Sequence, residues 1–188
     1  MFLDYVTLML INMVGGLVIL AWYVYSGMSD PDQKRWAPAF AMPGLVGLIF
    51  GVHMTLTWPL PGSYNVAYGE MSILLSILFV STALALSKGW DLHMIAIYAF
   101  FAGLAAVVVG IRFIDLKMTN NPTVSGIGFI LTGMCGICAL PTLNHRHNRT
   151  IRFIGFLVIM FAALIWAYTG YSAYWGHLSS FSQYQPMP

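Results

Sequence analysis

Charge is the scarcest feature of this chain. Asp, Glu, Lys and Arg make up only 7% of its 188 residues, whereas a soluble domain carries about a quarter. With 59% hydrophobic residues, too little polar surface exists to cover a globule in water. The surrounding medium must be largely lipid. Basic runs with interleaved aromatics are missing, and the net charge is only +2, so nucleic acid is not an expected partner. There is no P-loop, no G-x-S-x-G, no H-E-x-x-H and no dinucleotide fingerprint. There is no arginine-rich voltage-sensor helix and no carbonyl-filter motif. The first 28 residues lack the basic start and small-residue cleavage site of a signal peptide and carry Asp4 instead, which predicts a retained first span.

What is present is apolar sequence in runs of roughly 17–25 residues, the length that crosses a bilayer as helix. Six such runs are expected, at about Leu3–Gly27, Ala39–Thr57, Tyr68–Leu86, Leu92–Ile114, Val124–Leu140 and Ile151–Tyr174. They must be helices because lipid offers the backbone no hydrogen-bond partner. The segments SDPDQKRWAP, WPLPGSYN, SKGWD, KMTNNPT and LNHRHNR punctuate them. The fold class is therefore all-α: a polytopic membrane protein, one compact six-helix bundle over 1–178 with a short polar tail over 179–188.

Orientation follows from Lys and Arg. The first, third and fifth loops hold Lys34, Arg35, Lys88, Arg146, Arg149 and Arg152; the other side holds only Arg112 and Lys117. Six against two places the odd loops in the cytoplasm of a prokaryotic cell, with both termini and WPLPGSYN on the outer face. Gly47 and Gly51 form a G-x-x-x-G pair, and Ala102, Ala106 and Gly110 a small-residue stripe. Both signal close helix packing, within the chain or between copies, and no chemistry.

Ionisable groups at membrane depth are costly, so each needs a reason. The topology collects Asp4, His53, Glu70, Arg112, Asp115 and His177 at the outer level, and Asn12 adds to a polar side of the first span. Two readings compete. In the structural one, Arg112 pairs with Asp115 or Glu70 and His53 donates to a carbonyl. In the functional one, His53 and Glu70 with Asp4 or His177 bind copper or another transition metal, or the outer groups relay protons. Haem is disfavoured: His53 and His93 lie at opposite ends of their spans, so one iron cannot take both. Cys135 and Cys138 in MCGIC read as small buried packing residues. Met9, Met13, Met54 and Met71 could offer thioethers to copper(I) but read first as apolar filler.

WAPAFAMPGL, HMTLTWPLPGSYN, IYAFFAGLAAVVVGIR and GIGFILTG occur together in this chain. On these motifs, from about Asp4 to Leu140, it resembles a bacterial and archaeal family of multi-pass membrane proteins catalogued as domain of unknown function 981. The resemblance implies a polytopic membrane protein and carries no activity, cofactor or catalytic residue.

Three functions stay open. One is a non-catalytic accessory subunit that packs with other membrane subunits or copies of itself in a larger, for example respiratory, complex. The second is a metal or redox protein built on the outer His and carboxylate cluster. The third is a small-solute or proton pathway lined by Asn12, His53, Glu70 and Arg112. The topology has its own test. A cysteine placed at Ser63, with Cys135 and Cys138 removed, should react with a membrane-impermeant thiol reagent added outside intact cells; protection there would reverse the assigned orientation.

Overall fold

The computed structural model describes residues 4–180 and 182. Every regular element among them is helical. The long helices are α1 (Tyr5–Tyr25), α2 (Ala37–Thr57), α3 (Met71–Lys88), α4 (His93–Asp115), α5 (Pro122–Ile137) and α7 (Arg149–Ser180), with a short α6 (Ala139–Asn144) between the last two. A π-helical turn over Asn65–Glu70 leads into α3. Among the described residues, five helices are long and apolar enough to cross a membrane, and Pro122–Ile137 is a shorter apolar helix. Of the tail expected over 179–188, Ser179 and Ser180 belong to α7, and all the rest but Ser182 lies outside the described residues.

Helix ends follow local chemistry. α5 stops at Ile137, short of the expected Leu140. Pro141 has no amide proton to give the Ile137 carbonyl, which ends the α5 ladder there, and the chain restarts as α6. α7 runs past the expected Tyr174 to Ser180 because nothing in YWGHLSS stops a helix. α3 is preceded by the π-turn, so its helical path begins at Asn65 rather than Tyr68. The buried Asn65 side chain accepts from the Leu60 amide at 2.9 Å and donates to the Gly62 carbonyl at 3.0 Å. It thereby staples the WPLPG turn onto the bundle. Trp58 caps α2 in the left-handed conformation (φ 48°), a costly backbone for a side chain of that size.

The helices run antiparallel in three close pairs, α1 with α7, α2 with α3 and α4 with α5. Joined in the order α1, α2, α3, α4, α5, α7, they close a ring. One face of the ring carries Asp4, Trp58 and His177, and the other carries Trp36, Trp90 and Arg146. We call them the Asp4 face and the Arg146 face.

Glycine sets the tightest pair. A Cβ on Gly103 would sit 2.4 Å from the Gly133 carbonyl oxygen, and one on Gly110 would sit 2.6 Å from that of Gly126. α4 and α5 therefore touch backbone to backbone over two turns or more. The working stripe on α4 is Ala99, Gly103, Ala106 and Gly110, all buried. Of the expected stripe Ala102, Ala106 and Gly110, the last two are buried in this contact, while Ala102 is only half-buried and lines the interior of the ring. α2 meets α3 in the same manner. Gly44 lies against the Val80 backbone, Gly47 against Ser76 and Gly51 against the Ile73 amide, so the G-x-x-x-G expectation matches the packing. Asn12 joins α1 to this pair by donating to the Pro43 carbonyl at 2.8 Å.

These contacts assign opposite signs to two glycine substitutions. Gly133→Ala forces a methyl into the Gly103 carbonyl and should cost about 1–3 kcal/mol as overpacking. Gly15→Ala has nothing within 4 Å of the new carbon and should be neutral or stabilising by up to about 1 kcal/mol, from helix propensity. Thermal unfolding of the purified variants in detergent checks both.

Candidate functional site

Two regions gather polar groups or space, and they lie at different places from those the sequence emphasises. At the Asp4 face, Asp4 and His177 come together from the two ends of the chain. His177 Nδ1 is 2.6 Å from Asp4 Oδ2, and the Thr7 hydroxyl donates to Asp4 Oδ1 at 2.7 Å and lies 3.2 Å from the same His177 nitrogen. This ties the start of α1 to the last turns of α7. His53 stands apart from that trio on the exposed side of α2, edge-on to the Tyr5 ring at 5.6 Å between centroids. Glu70, half-buried, makes no hydrogen bond or ion pair among the described residues. Arg112 pairs with Asp115 three residues on, both exposed.

Among the described residues, no three of His, Cys, Asp and Glu are arranged to hold one metal ion. His53, Glu70, Asp4 and His177 thus do not assemble as a four-ligand set; only Asp4 with His177 does. The reason is helix phase: His53 is on the exposed side of α2, while the buried side carries Gly47, Gly51 and Met54. The same face holds two buried hydroxyls, on Tyr5 and Thr55, without a partner among the described residues. No sequence signal distinguished them from ordinary core residues.

The second region is the middle of the ring, where a cavity of about 490 Å³ is lined by every long helix. Its wall is almost wholly apolar and includes Leu17, Phe40, Leu75, Ala102, Phe129 and Ile159. None of Asn12, His53, Glu70 and Arg112 lines it. Met9, Met13 and Met71 do, as adaptable apolar wall rather than around a metal. On α1 the lining runs from Met9 to Val24, a depth of about 22 Å at 1.5 Å per residue.

Toward the Asp4 face the cavity is stopped by an aromatic cluster. Phe129 packs on Phe113 and on Trp166, each with centroids 4.9 Å apart, and Tyr68 closes over Phe113 and Phe129. Trp166 is fully buried, and its indole donates to the Thr132 hydroxyl at 2.9 Å, so the wall contains no unsatisfied indole. Met134 and Ile154 line the cavity while being 41% and 55% exposed. They mark a side opening where the wall reaches the surface, Met134 near the end of α5 at Ile137 and Ile154 in the first turns of α7. The free thiols Cys135 and Cys138 line this region.

Toward the Arg146 face the cavity meets a polar vestibule of about 550 Å³. Tyr23, Met28, Leu92 and Leu143 line both spaces. One wall is the first loop, folded by Asp30. The carboxylate of Asp30 accepts from the Trp36 indole at 3.0 Å and pairs with Arg35, and its side chain is only 7% exposed. Gln33 fastens this loop to the bundle by accepting from the Tyr23 hydroxyl at 2.9 Å. The opposite wall carries Asp91, which caps α4 by accepting from the His93 amide at 2.8 Å and lies 2.7 Å from the His93 ring. His93 Nε2 reaches Asn144 at 3.1 Å, placing this histidine beside Asp91 at the expected end of α4. The Trp36 indole, with the Asp32 amide and Arg35, holds the Asp30 carboxyl below the usual carboxylate range. The His93 amide and ring do the same for Asp91.

The family profile described as "Protein of unknown function (DUF981)" matches residues 1–180. It thus extends through α7, past Leu140, where the motif resemblance ends. No curated protein and no solved structure matches the chain.

The first loop's closure should depend on pH with a defined sign. Because the folded carboxyl of Asp30 is depressed, its stabilisation is complete above the usual aspartate value of about 3.9 and is lost as pH falls through the lower folded value. Amide exchange over residues 27–36, corrected for its intrinsic pH dependence, should show protection through neutral pH and a loss below about pH 4. Asp30→Asn should lower that protection at neutral pH and remove the acid step.

Proposed function

We propose that this chain, which belongs to the DUF981 family of proteins of unknown function, is an integral membrane protein that holds the hydrocarbon chain of an amphiphile inside its helical ring. The single observation that carries this reading is the apolar cavity bounded by all six long helices. Its volume of about 490 Å³ falls in the range of roughly 300–1,000 Å³ that holds one small ligand. Its depth of about 22 Å exceeds the roughly 15 Å of one bilayer leaflet's hydrocarbon. The side opening at Met134 and Ile154 faces where lipid would lie, so a chain can enter without crossing water. A path for ions or protons would need polar groups along the interior, and the wall offers few.

The proposed setting is a prokaryotic cytoplasmic membrane crossed six times, the 16-residue Pro122–Ile137 serving as a short sixth span. Both ends lie outside and the Arg146 face lies in the cytoplasm, as the distribution of Lys and Arg supports. A 16-residue helix covers about 24 Å, short of the roughly 30 Å hydrocarbon core; local thinning and snorkelling of flanking residues accommodate such a mismatch.

A second reading, an accessory subunit docked to other membrane proteins, is favoured by the end of α7. This helix outlasts a 30 Å core, and its last turns leave Trp175 84% and Leu178 74% exposed. Aromatic and apolar side chains held clear of the bundle suit a partner surface.

Native mass spectrometry of the protein released from its own membrane tests both. The expected result is a retained small amphiphile, lost when Ala102→Trp fills the cavity. An empty wild-type chain would sink the amphiphile reading. A stoichiometric protein partner displaced by Trp175→Ala would establish the second.

A further inference from the structure

The vestibule defines what the head of the amphiphile should be. Its two carboxylates are already engaged: Asp30 by Trp36 and Arg35, and Asp91 by His93. The groups left over are basic. The Arg146 guanidinium and the His147 ring line the vestibule and make no hydrogen bond or ion pair among the described residues. Arg146 already exerts a favourable field on the Asp91 carboxylate. The Arg146 guanidinium at the mouth of the apolar cavity is therefore a positive charge with donors left unused among the described residues.

From this arrangement we infer that the ligand is a single-chain amphiphile with an anionic head, a carboxylate or a phosphate, whose chain fills the ring and whose head is held in the vestibule by Arg146 and His147. This rests on the cavity reading above and adds the head's charge and the residues that select it. The geometry is consistent from end to end. Tyr23 and Leu143 form the collar shared by both spaces, so a chain in the cavity delivers its head among the vestibule side chains without a bend through protein. A planar guanidinium offers paired donors that match a carboxylate or phosphate. A neutral head would leave the Arg146 charge unmatched, and a cationic one would face it with like charge.

Trp166, buried at the far wall, is the reporter. The full chain in a nonionic detergent would be titrated with a fatty acid brominated near the chain end, the matching alkyl phosphate, the fatty alcohol and the alkyl trimethylammonium ion. Quenching that disappears in Trp166→Phe reads occupancy of the cavity. The expected order is carboxylate or phosphate tighter than alcohol by about tenfold, equivalent to about 1.4 kcal/mol, with the cation weakest. Whichever anion binds more tightly identifies the source of the head. Arg146→Glu should abolish the preference while leaving alcohol binding in place, and Arg146→Lys should keep most of it. Equal affinity for alcohol and acid would overturn the anionic head and leave the cavity reading standing. An anion preference that survives Arg146→Glu combined with His147→Ala would overturn the assignment to these residues. Absence of Trp166-dependent quenching by every probe would overturn the cavity reading itself. Unchanged alcohol binding in each variant shows that it is folded.

Discussion

Backbone-to-backbone contact at glycine is the constraint on which the rest of the bundle depends. Helices immersed in an apolar medium gain nothing from hiding Leu from lipid, so close packing must supply the association. Gly103, Gly110, Gly126 and Gly133 bring α4 and α5 to carbonyl contact, and Gly44, Gly47 and Gly51 bring α2 against the Val80 and Ile73 amides and the Ser76 side chain of α3. α1 and α7 pair with Gly170 against Leu10 and Ile11, and Gly155 against Val24. Each pair is a tight slab. Three slabs meeting edge to edge cannot also fill their common centre, because the small residues are spent on the pair interfaces. The central cavity is what this use of glycine leaves behind.

The polar groups are sorted by the same economy. With an almost entirely apolar wall, the interior gives an ion no partner, so the charges stand at the two faces. The faces are not equivalent. On the Asp4 face, Asp4 with His177 ties the start of α1 to the end of α7, and Arg112 pairs with Asp115 within α4. On the Arg146 face, the acids are taken up by a capped helix and a folded loop, and basic groups are left facing an opening that leads into the cavity. An apolar chamber with an aromatic floor, a side opening and a basic mouth has the shape of a site for a chain with a charged head.

Strain and irregularity mark where the bundle meets its ends. The left-handed Trp58, the Asn65 staple and the π-turn over Asn65–Glu70 all lie within one stretch, so the turn between α2 and α3 is held by specific bonds instead of being slack. On the opposite half α5 ends early, at Ile137, four residues ahead of Pro141. A proline in the first turn of α6 costs one backbone bond, and Met134 on α5 and Ile154 on α7 are exposed to the surroundings.

Much of this was legible along the chain. The apolar runs and their polar breaks dictated the helices and their order, because length and hydropathy are local properties. The pairing of Arg112 with Asp115, the place of His93 beside Asp91 and the packing role of Gly47 and Gly51 also follow from short-range spacing. Among the described residues no three of His53, Glu70, Asp4 and His177 come together, since depth along a helix can be read from sequence but the direction a side chain faces around the ring cannot. Ala102 shows the same limit on α4, where Gly103 proved to be the contact and Ala102 part of the cavity wall. The partnership of Asp4 with His177, the buried hydroxyls of Tyr5 and Thr55, the cavity and the basic vestibule were decided only by tertiary structure. They depend on which helices become neighbours and in what rotation, and that is set by glycine contacts between segments far apart in the chain.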